Sequence, residues 1–316
     1  MLRHSAKADY TRKEEKLAST TISKNKIKKS VGDTIVDILI YVILGLIALS
    51  TVLPFLYVVA GSFATEKELT EKAFFIIPTV WSANAYRYAI HTANILRGLK
   101  NSFILTIAGT TLCMLMSLMF AFSLSKSHLR GRNWIMNMVI VTMLFGGGMI
   151  PSFIVFKAYG LYNTYWALIL PGLISPFNMI IIKKFFQGLP VELDEAAYMD
   201  GANDLQIFVK VALPLSKPVI ASISLFYGVG FWNDYFGAMI YLQDAIKYPI
   251  QIQLRSIILL SSNIADASFD YDMNGTPPSK AVKMACTVIA TLPILCIYPF
   301  VQKYFTKGVM VGAVKG

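Results

Sequence analysis

The sequence predicts an all-α, polytopic membrane protein with six transmembrane helices. Of its 316 residues, 55% are hydrophobic and only 15% are charged, whereas a soluble domain carries about 25% charged residues. The charged residues are confined to short stretches between long uncharged runs, which is typical of a chain that crosses a bilayer several times. Only helices and closed barrels satisfy their backbone hydrogen bonds in lipid, and these runs are too long for barrel strands.

The first 33 residues are polar and basic and form a predicted cytoplasmic tail. A secretory signal would contain an apolar core of about 7–15 residues, but the apolar run that begins after Asp37 is much longer. We therefore expect an uncleaved first span and a membrane domain that covers residues 34–316.

Six apolar runs are each close to the roughly 20 residues that cross the hydrocarbon core. The predicted spans are Val36–Ala60, Ser102–Leu124, Trp134–Phe156, Trp166–Ile182, Val219–Tyr241 and Val282–Phe300. Helix breakers interrupt the third run at Gly146–Gly148 and Pro151, and the fourth at Pro171, Gly172 and Pro176. Breaks are tolerated where they face protein or a cavity, so they indicate either tight helix packing or a moving pathway.

The distribution of positive charge predicts the orientation of these spans. Most of the 29 lysines and arginines lie in the N-terminal tail, in the loops after the second and fourth spans and near the C-terminus. Positive residues mark the cytoplasmic side, so both termini are predicted to lie inside. Segments 63–100 and 242–281 are then extracellular, where we expect a docking surface for a partner. The net charge of +11 does not indicate nucleic-acid binding, because the basic residues are not interleaved with aromatic ones on a polar domain.

The cytoplasmic loop over 183–217 has the pattern of a helix–turn–helix outside the membrane. Asp194 and Glu195 are expected in the first turn of a short helix, where acidic side chains suit the helix dipole. Gly201 permits a sharp or left-handed turn. A protruding helix of small residues fits a partner's groove, although a solvated loop helix would have the same pattern.

A second short helix is predicted in the same loop. Asn203 or Asp204 is expected to cap it, and Pro214 is expected to end it before the fifth span. Four residues at helical spacing predict its apolar face, namely Leu205, Phe208, Val209 and Ala212.

This loop resembles the signature loop of binding-protein-dependent ABC import permeases. The residues expected to form it are Glu195, Ala196, Ala197, Asp200, Gly201, Ala202, Ile207, Phe208, Leu213 and Pro214. Other segments resemble the maltose-type sugar permeases, and especially the subgroup for complex oligosaccharides and polysaccharide fragments. These segments are Asn101-Ser102, Gly147-Gly148, Ile150-Pro151, Asn163-Thr164 through Leu170-Pro171, Trp232-Asn233 and residues 307–316.

The resemblance implies a type I ABC importer permease fold in a bacterial inner or plasma membrane. It implies a second homologous permease, two copies of an ATP-binding subunit and an extracellular solute-binding protein as partners. The loop helix from Glu195 to Ala202 would be the coupling helix that sits in a groove of the ATPase. The chain lacks the phosphate-binding pattern GxxxxGK[ST], so we expect a transport subunit for sugars without catalytic residues or cofactors, and not an enzyme.

Polar and aromatic residues in the fourth and fifth spans form the predicted substrate pathway. They are Asn178, Tyr227, Trp232, Asn233, Asp234 and Tyr235. Polar groups in lipid-spanning helices mark a pathway or a helix contact, and aromatic faces can stack on sugar rings. The aromatic residues could equally anchor the chain at the membrane interface or pack between helices. The cysteines and histidines lack metal-ligand spacing, so no metal site is predicted.

Two alternatives remain open from the sequence. The loop pattern also fits a permease of the same type for a non-sugar solute. An integral membrane glycosyltransferase would need a cluster of acidic or histidine residues at a membrane face. Asp266, Asp270 and Asp272 form the only cluster of that sort, in a segment that has the composition of an exposed loop.

Overall fold

The computed structural model describes residues 31–91, 94–260 and 280–313, and this part of the chain forms helices and no strand. The α-helices are α1 (Val31–Ser62), α2 (Glu66–Glu71), α3 (Asn84–His91), α4 (Ile95–Ser125), α5 (Arg132–Leu144), α6 (Met149–Ala158), α7 (Trp166–Ile169), α8 (Pro176–Gln187), α9 (Val191–Met199), α10 (Asp204–Ile207), α11 (Leu213–Leu215), α12 (Lys217–Asn233), α13 (Phe236–Tyr241), α14 (Ile250–Leu260) and α15 (Lys280–Ala313). Tighter 3₁₀ turns occur at Leu170–Gly172 and Ala245–Lys247, and a wider π-helical turn occurs at Phe208–Ala212. The predicted all-α class is confirmed.

The chain divides after Phe55 into two compact units. The described part of the first unit is helical and carries a long series of exposed apolar side chains, such as Leu39 and Leu46. Most of the basic tail over 1–33 and the aspartates of segment 261–279 lie outside the described residues.

Three described stretches are individually long and apolar enough to cross a membrane, namely Gly32–Ser62, Ile95–Ser125 and Lys280–Pro299. Six crossings result if each of three bent helix pairs is counted as one span. The six predicted spans therefore agree with the number of crossings obtained when each bent pair is counted as one span.

The predicted third span, Trp134–Phe156, is not one continuous helix. α5 and α6 are bent by 113° relative to each other, at the glycines that follow Phe145. Gly148 has a φ of 81°, a conformation that glycine adopts without the steric cost of a side chain. With 13 residues, α5 rises only about 20 Å, so α5 is shorter than the hydrocarbon core on its own.

The predicted fifth span, Val219–Tyr241, is also interrupted. α12 ends at Asn233, and α13 begins only at Phe236. In the gap, the Asp234 carboxylate accepts a hydrogen bond from the Gly237 N–H at 2.9 Å. Such a local bond between side chain and backbone competes with helical hydrogen bonding, which explains why the apolar pattern continues while the helix stops.

The core of the second unit is built around α4, which packs against α8, α12 and α14. α4 begins seven residues before the predicted second span, and its buried face includes Leu105, Cys113 and Ala121. A Cβ on Gly109 would lie 2.7 Å from the ring of Phe231. Gly109 therefore allows α12 to approach the backbone of α4 directly, as small residues do between membrane helices.

A buried glutamate holds the segment between α1 and α3 together. The side chain of Glu68 is 6% exposed and accepts hydrogen bonds from Lys72 Nζ at 2.8 Å, Thr79 N at 2.9 Å and Thr79 Oγ1 at 2.7 Å. The hydrogen bond from Lys72, followed by those from Thr79, lowers the pKa of Glu68 to about 2. The neighbouring Glu66 accepts hydrogen bonds from the Lys280 and Ala281 N–H groups at the start of α15.

We expect Glu68→Gln to loosen this segment and to remove part of its acid sensitivity. The carboxylate stabilises the fold fully above the ordinary pKa of 4.5, and this stabilisation is lost as the pH falls towards about 2. In purified protein, the variant should have a lower Tm and faster proteolysis of residues 66–81 at pH 7, and its Tm should decrease less than that of the wild type between pH 5 and pH 3. The exposed Glu71 provides the control as Glu71→Gln, and equal behaviour of the two variants would contradict the assignment.

Candidate functional site

The first half of the loop between α8 and α12 is a helix with no buried residues. α9 carries Glu192 and Asp194 in its first turn, where acidic side chains suit the positive end of the helix dipole. Glu195, which was expected in that turn, lies one residue beyond it because the helix already begins at Val191. The side chain of Glu195 is exposed.

α9 ends in a Schellman motif that is centred on Gly201. The Gly201 N–H donates to the Tyr198 carbonyl at 3.0 Å, and the Ala202 N–H donates to the Ala197 carbonyl at 2.9 Å. Gly201 has a φ of 79°, which confirms the expected left-handed turn. A Cβ on Gly201 would meet no atom of this chain within 4 Å. The glycine is therefore required by the backbone conformation and not by crowding within the chain.

The second half of the loop begins with a capping box. The Asn203 side chain accepts a hydrogen bond from the Gln206 N–H at 2.8 Å, and the Gln206 side chain accepts one from the Asn203 N–H at 2.9 Å. The Tyr198 hydroxyl donates to the Asp204 carboxylate, and this hydrogen bond raises the pKa of Tyr198 to about 12. Both halves of the loop are therefore joined by polar contacts that fix the angle between α9 and α10.

The apolar face predicted for the second half is partly wrong. The inward-facing residues are Ile207, Phe208 and Ala212, all of them buried. Leu205 and Val209 are 65% and 52% exposed. The π-helical turn that contains Val209 adds an extra residue per turn, so side chains there depart from the 3.6-residue spacing on which the prediction rested.

Pro214 also behaves differently from the prediction. The chain stays helical through Pro214, which occupies an initial position of α11, where the missing N–H is tolerated. The direction changes at Ser216, and the helices on its two sides are bent by 83°.

The ten residues of the predicted coupling loop differ in how far they are exposed. The exposed ones are Glu195, Ala196, Asp200, Gly201 and Pro214; the half-buried ones are Ala197, Ala202 and Leu213; the buried ones are Ile207 and Phe208. One part of the motif therefore faces outward and the other is anchored in the core of this chain.

The anchor consists of aromatic rings from three helical segments. The ring centroid of Phe208 lies 5.1 Å from that of Phe122 on α4, and Phe122 meets Phe186 of α8 edge-on at 5.6 Å. Aromatic pairs in this range stabilise by about 0.5–1.5 kcal/mol beyond their buried area. Phe208 thus connects the loop to α4 through Phe122, which in turn contacts α8.

An ion pair connects α9 to the end of α4. Lys126, directly after α4, pairs with Asp194 of α9, and its ammonium lies 4.4 Å from the ring centroid of Phe122. The Lys126 and Asp194 side chains are 11% and 34% exposed. Lys126 lies in the loop after the second predicted span, where the sequence indicated only a positive charge on the cytoplasmic side. The ion pair could not be predicted, because no spacing rule relates residues 68 positions apart.

Tyr227, a predicted pathway residue, is buried and takes part in two hydrogen bonds. Its hydroxyl accepts a hydrogen bond from the Ser175 N–H at 3.0 Å and shares another with Ser117 Oγ at 2.7 Å. The side chain is only 7% exposed. Tyr227 thus links α12 to α4 and to the residue that caps α8, and its hydroxyl is already occupied.

We expect Tyr227→Phe to reduce stability and to leave the apparent KM for the transported substrate, which the family resemblance implies, nearly unchanged. The change deprives the Ser175 N–H of its acceptor, which costs about 1–3 kcal/mol for a buried group. Tyr159→Phe is the matched control, because the Tyr159 side chain is 78% exposed and lies outside the predicted pathway. A raised KM with unchanged Tm in Tyr227→Phe would place Tyr227 in the pathway after all.

Trp232 and Asn178 are also buried. The Trp232 indole N–H donates to the Ala290 carbonyl of α15 at 3.1 Å, and its ring meets Phe103 edge-on at 5.1 Å. Asn178 lies in the first turn of α8, and its N–H donates to the Ser175 hydroxyl at 3.5 Å. These contacts favour helix packing over substrate contact for Trp232.

The remaining three predicted residues lie together at the gap between α12 and α13. Asn233 is exposed, whereas Asp234 and Tyr235 are half-buried. Two residues of α14 adjoin them: Gln251 Nε2 lies 3.4 Å from Asn233 Oδ1, and the Arg255 guanidinium lies 5.5 Å from the Tyr235 ring centroid. Sequence reasoning missed Gln251 and Arg255 because they come from a different helix. Within residues 31–91, 94–260 and 280–313, no group of three or more His, Cys, Asp or Glu side chains could hold a metal ion.

Comparison with known families matches residues 113–311 to the family described as binding-protein-dependent transport system inner membrane component. Protein LplC of Bacillus subtilis is 49% identical over 280 residues, which cover 89% of this chain and 95% of LplC. The polygalacturonan/rhamnogalacturonan transport system permease protein YtcP of the same organism is also 49% identical over 280 residues, covering 89% of this chain and 98% of YtcP.

A solved structure has the same fold. It is the crystal structure of a bacterial ABC transporter involved in the import of the acidic polysaccharide alginate, with a TM-score of 0.80 and 31% identity. The match covers 88% of this chain and 99% of the matched chain. These similarities confirm the resemblance and the permease fold that the sequence predicted.

Proposed function

We propose, from the premise that this chain belongs to the family of binding-protein-dependent transport system inner membrane components, that it is the sugar-conducting permease subunit of an ABC importer. It moves sugars, and specifically oligosaccharides, into the cell with energy from ATP hydrolysed by a separate subunit. It is a transport component without its own ATP-binding site, as its permease relatives are. The sugar class is supported by the saccharide named for YtcP and for the alginate importer.

The observation that carries the mechanism is the two-sided structure of the loop over 183–217. Its outward residues, Glu195, Ala196, Asp200 and Gly201, are exposed at the end of a helix that is fixed by a Schellman motif. Its inward residues, Ile207 and Phe208, are anchored beside α4. A loop whose first helix is free and whose second helical segment is packed in the core can transmit a rigid-body motion from a docked partner to the spans. We therefore assign this loop as the coupling loop.

An importer of this family contains an ATPase, a partner permease and a binding protein. We propose in addition that the ATPase is present in two copies, that the second permease is homologous to this chain and that the binding protein is extracellular. No nucleic acid is involved.

The chain is a membrane protein, as its family and apolar helices require. We propose a bacterial inner or plasma membrane with both termini in the cytoplasm, residues 34–316 as the membrane domain, and segments 63–100 and 242–281 outside. The coupling loop supports this orientation, because it must lie on the side where ATP is hydrolysed.

Asn233, Asp234 and Tyr235 are the residues that we retain for the substrate pathway. They interrupt the helix of the fifth span, where irregular backbone in a membrane protein is tolerated if it lines a cavity. Asn178 is kept as a pathway candidate on α8. We propose that Tyr227 and Trp232 serve helix packing instead, which their hydrogen bonds support.

The test is uptake of labelled neutral and uronic-acid oligosaccharides by cells that lack this chain, with the partner subunits present. Wild-type chain should restore uptake of one sugar class, and the Gly201→Asp variant should not. Failure of well-expressed wild-type chain with every sugar would overturn the sugar assignment in favour of a non-sugar solute. The acidic cluster of the glycosyltransferase alternative lies in segment 261–279, outside the described residues.

A further inference from the structure

Four side chains from two separate helical segments form one surface beside the interruption of the fifth span. We call Asn233, Tyr235, Gln251 and Arg255 the gap cluster. The amide of Gln251 lies 3.4 Å from that of Asn233, and the guanidinium of Arg255 lies 5.5 Å from the Tyr235 ring centroid. Asn233 and Arg255 are exposed, and Gln251 and Tyr235 are half-buried. The cluster thus combines two amides, one aromatic ring and one permanent positive charge.

The orientation of the gap cluster is fixed by the opposite face of α14. Ile250, Ile252 and Gln253 are each at most 1% exposed, and the Ile250 N–H donates to Ser102 Oγ of α4 at 2.9 Å. Gln251 and Arg255 are four residues apart, so they lie on one side of the helix. The packing of α14 therefore holds these two side chains outward in a fixed position.

The gap cluster lies at the outer end of the fifth span. α12 has 17 residues and so rises about 25 Å from its cytoplasmic end, which places its last residue, Asn233, towards the outer side of the bilayer. α14 is apolar but only 11 residues long, or about 16 Å, and cannot cross the membrane. The cluster therefore lies where the fifth span meets the outer segment 242–281, in a position to contact a sugar that enters from outside.

Arg255 has no carboxylate within ion-pair distance among the residues that the structure describes. Asp234 of the same gap makes no ion pair with Arg255, and one of its oxygens accepts the Gly237 N–H at 2.9 Å. The guanidinium instead lies near the Tyr235 ring, a contact that orients it while leaving its N–H donors free to bind an anion.

We infer that the gap cluster is a subsite for a uronic acid residue of the transported oligosaccharide, with Arg255 binding the sugar carboxylate. A guanidinium matches a planar carboxylate with two parallel hydrogen bonds, the amides of Asn233 and Gln251 match sugar hydroxyls, and the ring of Tyr235 offers a face for stacking. A neutral sugar would make no use of the charge. The inference rests on the proposed sugar-import function and narrows its substrate to acidic saccharides.

The experiment uses the complete transporter in proteoliposomes and compares labelled trigalacturonate with its methyl ester, which removes the charge and keeps the rings and hydroxyls. The measured quantity is the ratio of kcat/KM for the acid to that for the ester. Arg255→Gln should lower this ratio about tenfold or more, since a charge-assisted hydrogen bond contributes about 1.5–3 kcal/mol. Arg255→Lys should fall between Arg255→Gln and the wild type. The same binding protein delivers both sugars to every variant. Its own preference for one of the sugars therefore affects the ratio equally in all variants and does not alter the comparison.

Arg97→Gln, at an exposed arginine of α4, is the matched control and should keep the wild-type ratio. An unchanged ratio in Arg255→Gln would overturn the subsite. Loss of the partner permease from the purified Arg255→Gln complex would also overturn it, because Arg255 would then serve assembly. Wild-type transporter that moves neither sugar would overturn the proposed sugar function itself.

Discussion

Gly201→Asp is expected to abolish sugar uptake while leaving the amount of chain in the membrane unchanged. Gly201 occupies the left-handed position of the Schellman motif, with a φ of 79°, and a residue with a side chain is disfavoured there by about 1–2 kcal/mol. Aspartate, like asparagine, lies at the lower end of this range because its short side chain can form local hydrogen bonds, and ~1 kcal/mol reduces the docked conformation about fivefold. The added carboxylate points into open space in this chain, so any further loss arises at the partner.

The matched control is Gly201→Asn, which has nearly the same size, carries no charge and adopts the left-handed conformation relatively readily. We expect it to retain partial uptake. Uptake and immunodetected chain would be measured in the same cells. Normal uptake by Gly201→Asp at normal abundance would refute the assignment of α9 as the coupling helix.

Disruption of the Lys126–Asp194 pair is expected to uncouple ATP hydrolysis from transport. The pair joins α9 to the end of α4, and its partners are 11% and 34% exposed. Its free energy therefore lies between the ~0.2–1 kcal/mol of exposed pairs and the ~3–5 kcal/mol lost when a buried pair is broken. A loss of about 1 kcal/mol corresponds to about a fivefold decrease in sugar transported per ATP.

Lys126→Gln, Asp194→Asn and the double variant would be compared in proteoliposomes by parallel uptake and ATPase assays. We expect each single change to lower the amount of sugar transported per ATP. The double change should lower it no further, because all three variants lack the same interaction. Lys126→Arg keeps the charge and should be close to wild type. Additive losses in the double variant would show that the two residues act separately.

The parts of the fold that follow from local pattern were predictable from the sequence. The apolar runs correspond to the helices, Gly201 takes the left-handed turn, and Asn203 begins the next helix. Each depends on the hydrophobicity or conformational preference of a few adjacent residues. For the same reason, the family resemblance of the coupling loop was visible in the chain itself.

The features that the sequence could not supply depend on contacts between distant residues or on small changes of helix geometry. The hydropathy of the third span continues through a bend of 113°, and the π-helical turn at Phe208–Ala212 alters which residues face inward. Tyr227 and Trp232 have the composition of a sugar site, but their partners on α4 and α15 occupy their polar atoms. Arg255 could be recognised as part of the candidate site only from the structure, because it lies beside Tyr235 on a different helix.

The most direct test of the central claim is whether the exposed side of α9 touches the ATPase. Cys113 and Cys286 are buried, so a background with Cys296→Ser allows a single exposed cysteine to be placed at Ala196. We predict that Ala196→Cys forms a cross-link to the ATPase subunit in the assembled transporter, whereas Val80→Cys, which is exposed in the segment assigned to the outside, does not. A fully assembled transporter in which Ala196→Cys fails to cross-link to the ATPase, or in which Val80→Cys does so equally, would contradict the coupling mechanism.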